Sequence, residues 1–262
     1  MNTDHKDLYK NLSRAGFAAR GVTYGLIGGL AFMAAVGSGG GTTGSKGALQ
    51  TLSENTFGQI VLALVALGLF GYALWRLVSA ALDLENFCSD KEGIAHRLAH
   101  AGSGVFHIAL GIYAFSLLMG DAGSSGGPDK YVADLMSAPF GRILVGIAGI
   151  IAFVAAGAQC KKALNEEYKS HTRIPDQNGW INPTIKTGLI SRGVVFAIIG
   201  GFLIFAAATA SPDNARGIGG ALDWLAAQPY GSYLLAFISL GLIAFAVFSF
   251  IQARYRMIPD PQ

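Results

Sequence analysis

The sequence predicts an all-α integral membrane fold, with six transmembrane helices arranged as three parallel tandem αα-hairpin repeats in a pseudo-threefold arrangement. Three observations carry that prediction: six apolar runs of spanning length, one motif set that recurs three times, and basic residues gathered at one end of the runs. Of the 262 residues, 52% are hydrophobic and 13% are charged, where a soluble domain carries about 25% charged residues. A chain of this size could not cover a soluble surface with so few charges, and a bilayer removes the need. The apolar runs are 21–36, 60–82, 101–119, 143–159, 189–210 and 232–251. Crossing a hydrocarbon core of ~30 Å takes about 20 residues at 1.5 Å rise each. Helices are expected because lipid offers the backbone no partners, and the runs lack the alternation of barrel strands. The first run is short and is expected to begin a turn earlier, near Ala15, with Arg20 snorkelling to the headgroups.

The basic residues orient the chain. Of its 19 lysines and arginines, all but Lys46, Lys130, Arg142 and Arg216 fall in segments on the side of the N-terminus. The positive-inside rule then places both termini in the cytoplasm. The polar, basic opening MNTDHKDLYKNLSRAGFAAR is followed by no small-residue cleavage site, so the first run is expected to stay as an anchor. Cys88 and Cys160 both fall on the cytoplasmic side, where a disulfide is not expected.

The repeats come from direct alignment. ARGVTYGLIGGLAF from Ala19, GSGVFHIALGIYAF from Gly102 and SRGVVFAIIGGFLIF from Ser191 share one register. It aligns Arg20 with Ser103 and Arg192, Gly21 with Gly104 and Gly193, Tyr24 with His107 and Phe196, and Gly28 with Gly111 and Gly200. The second helices align through NTFGQI, APFGRI and QPYGSY, which put Gly58, Gly141 and Gly231 together. Between the two helices of each copy lies a Gly/Ser-rich loop and a short amphipathic segment, expected on the outer interface; Trp224 and Tyr230 suit that belt. The units are residues 13–85, 97–164 and 188–256, with a cytoplasmic linker over 165–187. Pro175, Asn178-Gly179 and Pro183 are expected to force turns in that linker. Its Trp180 and lysines are candidates for anionic lipid or a cytosolic partner, and Asp83, Glu85, Asp90 and Glu92 form a small acidic counterpart in the preceding inner loop.

The arginine-glycine openings at Arg20-Gly21 and Arg192-Gly193, the glycine pairs that follow, and the aromatic-glycine start of the second helices resemble a bacterial membrane family. It is the family built on tandem copies of the domain of unknown function 1206. The resemblance covers the chain from about Ser13 to Arg256. It implies a six-helix inner-membrane protein of three tandem domains and brings no activity and no catalytic residues. The middle copy departs from the pattern at Ser103.

Three sets of residues stand out. Gly21, Gly25, Gly28, Gly29, Gly104, Gly111, Gly193, Gly200 and Gly201 suit close helix packing; the alternative is small residues left along a central passage. They lack the strand-to-helix context of a phosphate loop. His96, His100 and His107 project within ~40° of one another on a helix. His96 and His100 could share a metal at their i, i+4 spacing, while His107 lies some 10 Å deeper, where aromatic packing accounts for it as well. Arg20, Arg192, Arg76, Gln159 and Ser103 sit near the cytoplasmic helix ends. Snorkelling or capping the bundle suits them, and a charged pore rim is the alternative.

Composition narrows the function. The apolar runs hold no Asp, Glu or Lys, which argues against a proton or cation relay. No nucleophile with a base and an orienting group can be picked out, so no enzyme and no cofactor is expected. The net charge of +3 follows from topology and points to no nucleic acid. Three readings remain, in this order: a structural or accessory protein binding membrane lipids, a protein partner or further copies of itself; a channel or passive carrier along the pseudo-threefold axis; and a metal or haem protein using the histidines.

Overall fold

The computed structural model describes residues 3–82, 91–120, 128–174 and 179–257. Six long helices are apolar enough to cross a membrane: α1 (Thr3–Ala35), α3 (Thr56–Leu82), α4 (Lys91–Leu118), α6 (Gly141–Leu164), α7 (Ile181–Thr209) and α9 (Gly231–Tyr255). Three short helices, α2 (Ser45–Ser53), α5 (Pro128–Ser137) and α8 (Ile218–Ala226), follow the odd helix of each copy. Cys88 and the acidic residues Asp83, Glu85 and Asp90 lie outside the described residues, as do Pro175 and most of the loop before α5.

The joint between short and long helix is built alike in all three copies. A Cβ at Gly58, Gly141 or Gly231 would fall 2.1, 1.7 or 2.0 Å from the carbonyl oxygen of Leu52, Leu135 or Ala226. Only glycine lets the last turn of the short helix sit on the first turn of the long one. At the first joint Asn55 Oδ1 accepts from Gly58 N–H at 2.8 Å, satisfying one of the orphan donors of α3. At the other two, Phe140 (φ 62°) and Tyr230 (φ 60°) take the left-handed conformation just before the glycine, which turns the chain sharply into the bilayer.

The long helices pack in the order α4, α3, α1, α9, α7, α6. Interfaces between copies (α1 with α9, α6 with α7, α3 with α4) are more extensive than those inside copies (α1 with α3, α7 with α9). The interfaces thus form an open row of six long helices with α4 and α6 at its ends. Among the described residues no packing interface joins α4 to α6, the two helices of the middle hairpin. The expected pseudo-threefold arrangement is not confirmed by these contacts.

Two expectations about element boundaries are corrected. The first helix starts far before Ala15, its apolar span running from Lys10 to Ala35, so Arg20 lies well inside it. Pro183 does not break the linker. It is the third residue of α7, where its missing N–H has no helical acceptor to lose.

Residues 165–187 are accordingly more than a plain linker. Tyr168 is fully buried, edge-on to Phe248 of α9 with ring centroids 6.0 Å apart. Arg173 N–H donates to the Tyr255 carbonyl at 3.0 Å, and Met257 N–H to the His171 carbonyl at 3.0 Å. This short antiparallel clasp ties the segment to the end of α9. Hydrogen bonds from Lys169 and Lys186 hold the exposed Glu166 carboxyl down at about 2. A carboxyl depressed when folded lends stability above its ordinary range and loses it as pH falls through the folded value. Hydrogen exchange of residues 165–174 is expected to quicken between about pH 4.5 and pH 2 in wild type, and a Glu166→Gln variant should lack that step. An identical acid profile in both proteins would refute the assignment.

Candidate functional site

The polar residues inside the spans converge toward the end of the bundle that holds the chain termini. Arg20 of α1 does not snorkel. It is 8% exposed, and each of its nitrogens has a partner on another helix: Nε donates to Ser249 Oγ at 3.2 Å, one terminal nitrogen to Tyr72 Oη at 3.1 Å, and the other to Gln252 Oε1 at 2.5 Å. Phe17, Tyr72 and Phe245 place their rings 5.0 to 5.5 Å from the guanidinium carbon. The reason is position. With α1 extended by several turns on the N-terminal side, Arg20 is too deep for the headgroups and meets acceptors on α3 and α9 instead.

Two more guanidiniums share that frame. Arg76 Nε donates to the same Tyr72 oxygen at 3.0 Å, and its guanidinium lies 4.9 Å from the Trp75 ring centroid. Arg192 of α7 donates from Nε to Tyr24 Oη at 3.0 Å and lies 4.7 Å from the Phe245 ring that also flanks Arg20. Arg256, fixed by the clasp, stacks on Phe17 and Trp75 at 5.3 and 5.1 Å. Aromatic faces offset part of the cost of burying a cation, yet an uncompensated buried charge still costs several kcal/mol. On the 161–186 segment, by contrast, Glu166 and Glu167 pair with Lys161, Lys169 and Lys186. The charges acting on Arg20 besides the tyrosines are Arg192 and Arg76. The cluster is cationic and held open by phenols.

The other singled-out residues take different places. Ser103, equivalent to Arg20 and Arg192, adds no charge; its carbonyl accepts from His107 Nδ1 at 2.7 Å. The Cβ of Gln159 lies 3.5 Å from where a Cβ on Gly193 would stand, at the α6–α7 contact. His107 stacks on Tyr72 with centroids 4.5 Å apart, and the buried His100 faces Trp75 at 6.2 Å. His96 is exposed, so the three histidines are not brought to one point. Among the described residues no group of three His, Cys, Asp or Glu could hold a metal. Gly21, Gly28, Gly104, Gly111, Gly193 and Gly200 sit at helix approaches where a Cβ would meet a neighbour at 2.7 to 3.3 Å. Gly25 has ordinary contact distance, Gly201 only an edge contact, and Gly29 faces open space.

Sequence reasoning missed Tyr72, Phe245, Ser249 and Gln252. A usable signal was present. The register that aligns Gly58, Gly141 and Gly231 also aligns Tyr72 with Ala155 and Phe245, and Arg76 with Gln159 and Ser249. The cluster thus occupies two equivalent layers of the repeat, and the middle copy contributes small or neutral residues to both.

Comparison with known proteins agrees with the threefold reading of the sequence. The family model described as Domain of Unknown Function (DUF1206) matches residues 15–83, 98–166 and 187–256. The chain is similar to the uncharacterized protein YxxB of Bacillus subtilis (strain 168), with 32% identity over 260 residues, covering 98% of this chain and 94% of that protein. No solved structure matches. Matched three times over most of its length, this multi-pass membrane chain belongs to the DUF1206 family.

Proposed function

We propose that the protein is a non-enzymatic lipid-binding protein of the bacterial inner membrane, with both termini in the cytoplasm. The observation that carries this reading is the missing α4–α6 interface. If the hairpins are set around an axis, the gap between α4 and α6 opens sideways, toward the hydrocarbon, and not along that axis. The two flanking helices are apolar outward: Val105, Phe106, Ile112 and Phe115 on α4, and Ile147, Ile150, Ile151 and Val154 on α6, are exposed. Lipid is the occupant to which both features point, because acyl chains match those faces and the cationic cluster attracts an anionic head. The basic bias toward the terminal side supports the orientation.

The test is to extract the full-length protein with its surrounding bilayer in a native nanodisc, exchange it into mild detergent, and weigh it intact. The expected result is protein carrying a small, fixed number of lipids that survive detergent washing. Protein that emerges bare, or as a dimer closed over this face, would refute the reading. A passive carrier for a small anion is the second reading, favoured by the same positive charge. Flux into proteoliposomes that depends on Arg192 would establish it in place of the first.

A further inference from the structure

We propose that Arg76 and Arg192 form the binding jaws of a phosphate-group site inside the bundle, with Arg20 as its fixed post. The proposal rests on the lipid-binding reading for its natural ligand, but the site is argued from its own donors.

A guanidinium has five N–H donors in a planar fork. Arg20 commits all three nitrogens to Ser249, Tyr72 and Gln252, and so it is locked in place. Arg76 and Arg192 each commit Nε alone, to Tyr72 and Tyr24. Their terminal nitrogens meet no acceptor on the described protein. Holding Nε while leaving the outer edge open is the geometry that suits bidentate capture of a phosphate or carboxylate. Arg20 and Arg76 lie over the Tyr72 ring, on which His107 of α4 also packs. Arg20 and Arg192 flank the same Phe245 ring, and Arg20 and Arg76 bond the same phenol oxygen. The rings steer the forks and supply no negative charge. An anion is the missing member.

A tetrahedral phosphate suits two forks set apart: free phosphate offers three or four oxygens, and a phosphodiester head offers two unesterified ones, one to each fork. The same chemistry could arrive as a phospholipid head through the α4–α6 opening or as free phosphate from the aqueous side.

The experiment uses the full chain, delipidated in neutral detergent, in two arms. In the first, inorganic phosphate is titrated at constant ionic strength, and binding is read as a shift in unfolding temperature. In the second, retained lipid is counted after exposure to phosphatidylglycerol or phosphatidylcholine vesicles. Wild type is expected to prefer phosphatidylglycerol, and the Arg76→Ala/Arg192→Ala double variant to lose at least about tenfold in affinity. Arg76→Lys and Arg192→Lys keep the charge but not the fork, so they should recover little. The exposed Arg142→Ala serves as control. A double variant with a wild-type unfolding temperature in ligand-free detergent but undiminished binding in both arms overturns the site. Lipid retained without preference for charge also overturns it while leaving the lipid reading intact. Free phosphate bound without retained lipid sinks the lipid reading and upholds the site.

Discussion

Gly188→Leu is expected to abolish the fold, giving aggregated protein and no sharp peak in detergent size exclusion. The physical cause is a backbone crossing. A Cβ on Gly188 of α7 would lie 2.5 Å from the Phe245 amide nitrogen and 2.7 Å from its Cα on α9. Side chains can step aside, but a helix backbone cannot. Overpacking a core costs about 1–3 kcal/mol when neighbours relax, and more when they do not. Here relaxation means driving α9 off α7, which carries Phe245 away from Arg20 and Arg192 and breaks the cluster as well. Leucine is a good helix former, so intrinsic propensity would not confuse the result. Gly29→Ala, facing open space, should behave as wild type. A folded Gly188→Leu protein with wild-type unfolding temperature would show that the α7–α9 crossing is looser than described.

The second large effect is expected at Arg20→Met. Methionine keeps much of the volume but removes every donor, leaving Gln252 Oε1 without a partner in a dry interior, while Tyr72 Oη keeps Arg76 and Ser249 Oγ keeps the Phe245 carbonyl. A buried group left unsatisfied costs about 1–3 kcal/mol. One such group and two further lost hydrogen bonds, less the relief of like-charge repulsion from Arg76 and Arg192, give a loss of roughly 1–3 kcal/mol. Arg20→Lys should rescue little, since one ammonium cannot span three partners on two helices. The exposed Arg254→Met is the control. Thermal unfolding in detergent decides between them, and an Arg20→Met protein as stable as the control would mean that the three bonds hold nothing.

Much of this molecule is written in local signals. Spanning length and hydropathy mark the six long helices, and the glycines at 58, 141 and 231 mark both the repeat and the joint that each one permits. The site was legible only in part. Arg20 and Arg192 were visible as a repeated pair, but whether an arginine turns outward or inward depends on what the other helices offer it. Two of the three acceptors of Arg20 lie on α9, more than two hundred residues away, and no local pattern announces them. The boundary of α7 was misread because a proline looks the same in a loop and in a first helical turn. The missing α4–α6 interface could not be seen in the sequence either. Both helices are apolar on nearly every side, so periodicity does not say which face meets protein and which meets lipid.

The greater strength of the interfaces between copies has a consequence for biosynthesis. The sequence repeat is a hairpin, but the hairpin is not the unit that packs best. Of the six spans, α1 is made before the others and finds its most extensive neighbour in α9, made after them. Until the final span is released into the bilayer, α1 has only α3 beside it, and Arg20 stands in the membrane without Ser249 or Gln252. The nascent chain therefore passes through a stage in which a charge is inserted before its partners exist. The arrival of α9 is what turns that charge from a burden into the centre of the bundle.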